Sequence, residues 1–468
     1  MNLNEYTGYD AVGLSELIRT GKVTAAEVET VAREALAAAN AQVNGLTLPI
    51  FSPALSHADD GPFTGVPFLI KDHGPVAEGV PFSIGSRALP HVVADHDTDL
   101  MRRFRAAGLV TLGQTTCPEL ALSLTTESIR YGATRNPWDL ERTAGGSSGG
   151  AAALVAAGAV PVAHGSDGAG SIRVPASCCG VVGLKPSRGR VTAGPDMGEL
   201  MFGMAYEFAL TRTVRDAAHL LDAVHGPGVG DKYTAPPPLR PYADEVGADP
   251  GRLRVALTTR SWSGSAVDPE VAGAAVHVAQ VLEEMGHHVA EAGPEVSWED
   301  AIRALETEAM AIASALLLSP REPDPALMEA VSRKVLELTR QARALDLVTG
   351  FHSQNLVSRS VARFFTGHDL LVTPTLGRLP LAHGVLNYDD PDITFRQWLD
   401  RLMEFSPFTA VFNATGQPAI SLPLGRSESG LPIGVQLVAG YGREDLLFRV
   451  AARLEQALPW PLCGLIKD

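Results

Sequence analysis

The chain has 468 residues, 45% hydrophobic and 19% charged, ample apolar material for a large globular core. Its formal charge of −15, with no basic run, argues against a nucleic-acid partner. The N-terminus lacks a cationic segment leading into an apolar one, and the Ala/Gly-rich stretch 151–163 is too short to span a bilayer, so neither a secretory leader nor a membrane anchor is expected.

Read in chain order, Thr24-Ala25-Ala26-Glu27 is a capping box, with Val23 and Val28 spaced as a hydrophobic staple, and predicts an Ala-rich helix to about residue 40. Residues 66–70 read as a buried strand. Asp97 or Thr98 caps a helix through Ala107, Gly108 stops it, and 109–112 is the next strand. Residues 115–143 are polar and turn-rich, with a turn at Asn136-Pro137. A small-residue helix follows Gly150, and 161–164 reads as a strand entering the loop that carries Ser171. Residues 226–251 are rich in Pro and Gly and read as a linker or surface excursion. Beyond them, strand 253–258, helix 269–285 and a strand near His288 make a βαβ unit. Amphipathic helices are predicted over 298–317 and 325–364, strands over 370–373 and 433–438, and a final helix over 443–457. Strands alternating with helices predict an α/β fold around a mixed or parallel sheet.

Cysteine usage points to a reduced, cytoplasmic setting: Cys117, the adjacent Cys178 and Cys179, and Cys463 offer neither a structural bridge nor a zinc spacing. His287 and His288 would point to opposite faces of a strand. No metal or cofactor is expected.

Two serines lie in backbone almost stripped of side chains. Ser147 sits within Gly145-Gly146-Ser147-Ser148-Gly149-Gly150, and Ser171 follows Gly168-Ala169-Gly170. Glycine lets main-chain N–H groups approach a ligand, so each serine marks either a tight turn or a place where substrate meets backbone. Upstream, Lys71 closes the run Val66-Pro67-Phe68-Leu69-Ile70. A hydroxyl needs a base to act as a nucleophile, and a lysine desolvated at the end of a buried strand can supply one. Arginine, which keeps its proton, would not serve.

Other readings compete. The glycines also suit close helix packing, and Lys71 also suits a surface lysine paired with Asp72, although strand neighbours point to opposite faces. Ser147 or Ser148 satisfies G-x-S-x-G, but the nucleophile elbow needs a strand immediately upstream, where residues 136–143 read as a turn. Gly165 to Ser171 has phosphate-loop glycine spacing with Ser171 at the lysine position, and Arg173 blocks G-x-G-x-x-G. His164 and Asp167 would complete a Ser-His-Asp set with Ser171, although triad members usually come from separate segments.

The segments Gly145 to Val191, Lys71-Asp72, Tyr131-Gly132 to Asp139, Phe412-Asn413-Ala414-Thr415-Gly416 and Gly430 to Gln436 together resemble the amidase signature family over most of the chain. That resemblance implies one α/β domain spanning 1–468: a twisted mixed β-sheet covered on both faces by α-helices. The signature core would lie at about 60–200, with variable substrate-facing parts at about 195–235 and 300–400. It implies a Ser-Ser-Lys triad with Ser171 as nucleophile, Ser147 as a bridging serine on a cis peptide, and Lys71 as base. The oxyanion would be held by backbone N–H groups around Gly168, Ala169, Gly170 and Ser171, with Ser148, Asp167 and Arg173 bracing the loop. Leu122 and Thr125 align with substrate-contacting positions. The implied activity is an amidohydrolase acting on small uncharged amides, extending to carbamates. The GSDGAGSIR and AGPD segments resemble a branch acting on xenobiotic amides. Monomer or homodimer is expected, with no nucleic-acid or membrane partner.

Three departures stand out. Ala169 adds a methyl in the oxyanion loop. Gln114-Thr115-Thr116 replaces a common Lys-Thr-Asn. Thr192 to Asp196 replaces the tyrosine-containing stretch of tRNA-dependent amidotransferase subunits, which weakens the alternative of a glutaminase-type amidotransferase subunit.

Overall fold

A computed structural model describes residues 1–89, 92–319 and 322–466. The first predicted helix forms as Ala25–Val43. Glu27 N–H donates to Thr24 Oγ1 at 3.2 Å, and Thr24 N–H donates back to the Glu27 carboxylate at 2.8 Å.

The centre is an eight-stranded mixed sheet, in the order His288–Glu291, Arg254–Leu257, Leu370–Pro374, Pro432–Ala439, Ala419–Arg426, Val182–Lys185, Tyr206–Thr211 and Val162–Asp167. The first three strands are parallel and the remaining pairings antiparallel. The predicted βαβ unit is the parallel pair Arg254–Leu257 and His288–Glu291, joined through helix Pro269–Glu284. Strands Pro67–Lys71 and Val110–Thr115 pair in parallel as a separate ribbon that packs against Val162–Asp167. Helices Arg173–Cys179 and Glu444–Ala457 both pack on strands Ala419–Arg426 and Pro432–Ala439. Among the described residues no helix is long and apolar enough to cross a membrane.

The structure departs from expectation in four places. Strands Val182–Lys185, Tyr206–Thr211 and Ala419–Arg426 escaped prediction. The first two are buried at every position and the third at all but its last two, so little alternation of polar and apolar residues marks them. The helix predicted over 325–364 is two, Ala330–Gln341 and Ala344–Gly367, separated where Ala342 and Arg343 turn extended and Asp346 caps the Arg343 N–H at 2.9 Å. Residues 115–143 contain two small hairpins, one pairing Arg135–Asn136 with Asp139–Thr143. A strand therefore does precede Ser147, in a peripheral ribbon outside the main sheet. The stretch 226–251 is anchored by Tyr242, whose ring is 1% exposed and packs against His225 and Phe448.

Candidate active site

Three segments converge at the edge of the main sheet. The ribbon strand Pro67–Lys71 ends in Lys71. Helix Gly149–Ala156 begins just after Ser147-Ser148. Strand Val162–Asp167 runs into the Gly168–Ser171 turn ahead of helix Arg173–Cys179. Ser148 N–H donates to the Ser171 carbonyl at 3.2 Å and ties the two glycine segments together. The Gly146–Ser147 peptide is cis.

Lys71 is completely buried. Its amine lies 2.8 Å from Ser147 Oγ, 3.0 Å from Ser148 Oγ and 2.9 Å from Ser166 Oγ. Burial pushes its pKa down to about 8, partly opposed by the acidic groups around it. Asp72 does not neutralise it: that carboxylate accepts from the Ser83 N–H and hydroxyl, the Gly85 N–H and the Tyr131 hydroxyl.

The protons on the three serines can be assigned. Ser148 Oγ donates to the Ser166 carbonyl at 3.2 Å. Ser166 Oγ lies 3.2 Å from Nδ1 of His73, whose pKa burial and the nearby Lys71 charge push down to about 4, so the neutral ring can accept there. Ser148 and Ser166 thus receive N–H from Lys71, and a neutral amine keeps its lone pair for the hydroxyl of Ser147. Neither Ser166 nor His73 was anticipated. Alternation along 162–167 puts Ser166 on the same strand face as His164, the one sequence signal that pointed to it.

The Ser171 turn is held from within. Asp167 accepts from Arg173 Nε at 2.9 Å and Nη2 at 2.8 Å, from the Gly170 N–H at 2.9 Å and from Asn413 Nδ2 at 2.8 Å. Burial alone would raise its pKa, but the Arg173 charge and these hydrogen bonds hold it at about 2. Arg173, also fully buried, reaches on to Gln436, Asn413 and the Thr409 carbonyl. Removing the carboxylate would strand a buried guanidinium. Asp167→Ala is therefore expected to cost about 3–5 kcal/mol of stability, read by denaturant unfolding, with a smaller loss in Asp167→Asn.

Gly170 is at φ +134°, and a Cβ there would meet Thr409 Oγ1 at 2.5 Å, so only glycine fits. Its N–H is committed to Asp167, which removes Gly170 from the expected set of oxyanion donors. The N–H groups of Gly168, Ala169 and Ser171 make no hydrogen bond among the described residues and remain the candidates. His164 pairs with Glu207 at 2.5 Å and Asp167 with Arg173, so the Ser-His-Asp reading has no geometry behind it.

Ser147, Ser166, Gly168, Ala169 and Ser171 line one side of a cavity. The rest of its lining is mostly apolar, with Leu122, Leu124, Leu305, Phe395, Leu399 and Met403, several of them from within 300–400, and includes the polar His73, Ser123 and Glu308. Leu122 reaches the cavity as aligned. Thr125 does not: it is 2% exposed, its hydroxyl lies 3.2 Å from Ser123 Oγ, and its backbone packs under Gly146.

Comparisons with known proteins find relatives over nearly the whole chain. A family model described as Amidase matches residues 17–448. The 6-aminohexanoate-cyclic-dimer hydrolase of Paenarthrobacter ureafaciens is 41% identical, covering 96% of this chain and 95% of that protein. A protein of Mycobacterium tuberculosis named "Putative amidase AmiC" is 38% identical, covering 96% of this chain and 95% of its own length. A solved structure of 6-aminohexanoate cyclic dimer hydrolase complexed with substrate superposes with a TM-score of 0.93 at 39% identity, covering 98% of this chain and all of that one.

Proposed function

Since the chain belongs to the amidase family, we propose that it is an amidohydrolase that cleaves amide bonds, and carbamates by extension, of small uncharged organic substrates through an acyl-Ser171 intermediate. The observation that carries this reading is the buried Lys71 amine, hydrogen-bonded to Ser147 beside the cavity that Ser147 and Ser171 share. Ser171 Oγ attacks the carbonyl carbon while its proton passes to Ser147, whose own proton passes to Lys71 Nζ. The tetrahedral oxyanion is received by N–H groups among those of Gly168, Ala169 and Ser171, each such donor worth on the order of 3–4 kcal/mol in other hydrolases. Collapse breaks the C–N bond; Ser147 protonates the departing amine and is refilled from Lys71. Water then enters by the same relay, opens the Ser171 ester and releases the acid. The apolar walls favour an uncharged substrate.

The reading is tested by turnover on aryl anilides, aliphatic amides, carbamates and glutamine, with acid and amine products quantified. The expected result is hydrolysis of neutral amides in equimolar acid and amine, with glutamine poor. Glutamine as the sole good substrate, or no amide cleaved, would overturn it.

A further inference from the structure

Among the polar groups that line the cavity, Glu308 lies outside the serine cluster and is left unused by the reaction above. Glu308 lies on helix Trp298–Leu317, on the face that also presents Leu305 and Ala309 to the cavity. It is only 4% exposed, and its Oε1 is enclosed with no hydrogen-bond partner. That oxygen presses on the oxyanion turn: a Cβ at Gly168 would fall 2.4 Å from it. An unpaired buried polar atom is costly, and a ligand that reaches the carboxyl from the cavity it lines would relieve that cost.

We propose that the Glu308 carboxyl is a substrate-recognition group, receiving a second neutral carbonyl–N–H unit, amide or carbamate, carried by the substrate away from the bond being cut. This rests on the amidohydrolase reading and narrows its substrate class. Burial, with the Asp167 charge adding to it, holds Glu308 well above the usual carboxylate range, which favours the protonated acid. Such an acid donates its O–H to a carbonyl and accepts an N–H through its other oxygen, which matches an amide on both sides. An ammonium would instead require the ionised carboxylate, which this burial disfavours. The Leu305, Phe395, Leu399 and Met403 side chains that share the cavity lining supply only apolar contact, so they offer no polar partner to such a unit.

The test uses matched secondary amides whose acyl arm, or in a second series amine arm, ends in a methyl, an N-methylcarboxamide or an ammonium, with products followed by mass spectrometry. In one of the two series the wild-type enzyme is expected to favour the carboxamide about tenfold or more in kcat/KM, mostly through KM. Glu308→Leu should erase that preference, bringing the carboxamide and methyl substrates to within about threefold of each other, and Glu308→Gln, which still donates and accepts, should retain most of it. A merely structural role on Gly168 would lower all substrates alike, and that outcome overturns the proposal, as does a wild-type preference for the methyl or ammonium arm or no preference. The wild-type comparison decides the matter even where Glu308→Leu does not fold. Absence of turnover on every amide, by contrast, would count against the amidohydrolase reading itself.

Discussion

Ser171→Ala is expected to abolish turnover, by about 10⁶-fold in kcat if the serine acts as a unit with its relay, as nucleophiles in other hydrolases do. The protein should nonetheless fold. The turn is held by Asp167, Arg173 and Asn413, and the Ser171 contribution to that framework is its backbone carbonyl, which accepts from Ser148. The hydroxyl itself makes no hydrogen bond among the described residues, so its loss should move stability by well under 1 kcal/mol. Two measurements separate nucleophile from scaffold. A sulfonyl fluoride should label the wild-type protein at Ser171 and leave the variant unmodified. The variant should still bind uncleaved amides with near wild-type affinity, since the apolar walls are untouched. Turnover surviving in Ser171→Ala would move the nucleophile elsewhere.

Why this site was legible while parts of the fold were not comes down to what each residue type advertises. Lys71, Ser147 and Ser171 announce themselves by contrast: a lysine after five apolar residues, and hydroxyls in backbone without side chains. The Thr24–Glu27 cap is a local signal and was read correctly because nothing distant competes with it. Strands Val182–Lys185 and Tyr206–Thr211 lie inside the sheet and are uniformly buried, so the period-2 signal that would identify them is absent. Asn413 and Gln436 fall within segments recognised by resemblance, yet their task, holding Arg173 from more than two hundred residues away, depends on a topology that no local window contains. Gly170 shows the opposite error. A glycine in an oxyanion loop invites the role of donor, but its value here is its φ, and its N–H serves Asp167. Glu308 could not be found by pattern, because a glutamate on an amphipathic helix ordinarily faces water.

Lys71→Met is expected to lower kcat/KM by about 10²–10⁴-fold and, more tellingly, to change its pH dependence. In the proposed mechanism the amine works only when neutral, and its pKa lies at about 8, lowered chiefly by burial. Rate should therefore rise with pH through about 8 and level off above it, with roughly one tenth of the enzyme active at pH 7. Methionine keeps the length and apolar packing but has no lone pair for the Ser147 proton, so the rise should vanish. Lys71→Arg should be equally inactive, because a guanidinium holds its proton throughout. Stability supplies an independent check with its own sign. The lysine binds a proton less readily folded than unfolded, where its value is near 10.5, so the unfolded chain holds more protons between about pH 8 and 10.5. Wild-type stability should gain on the order of 3 kcal/mol across that window relative to Lys71→Met, in which this increment disappears. A wild-type rate profile flat from pH 6 to 9, or one unchanged by the methionine, would leave Lys71 as a structural member of the serine cluster and return the search for the base to His73.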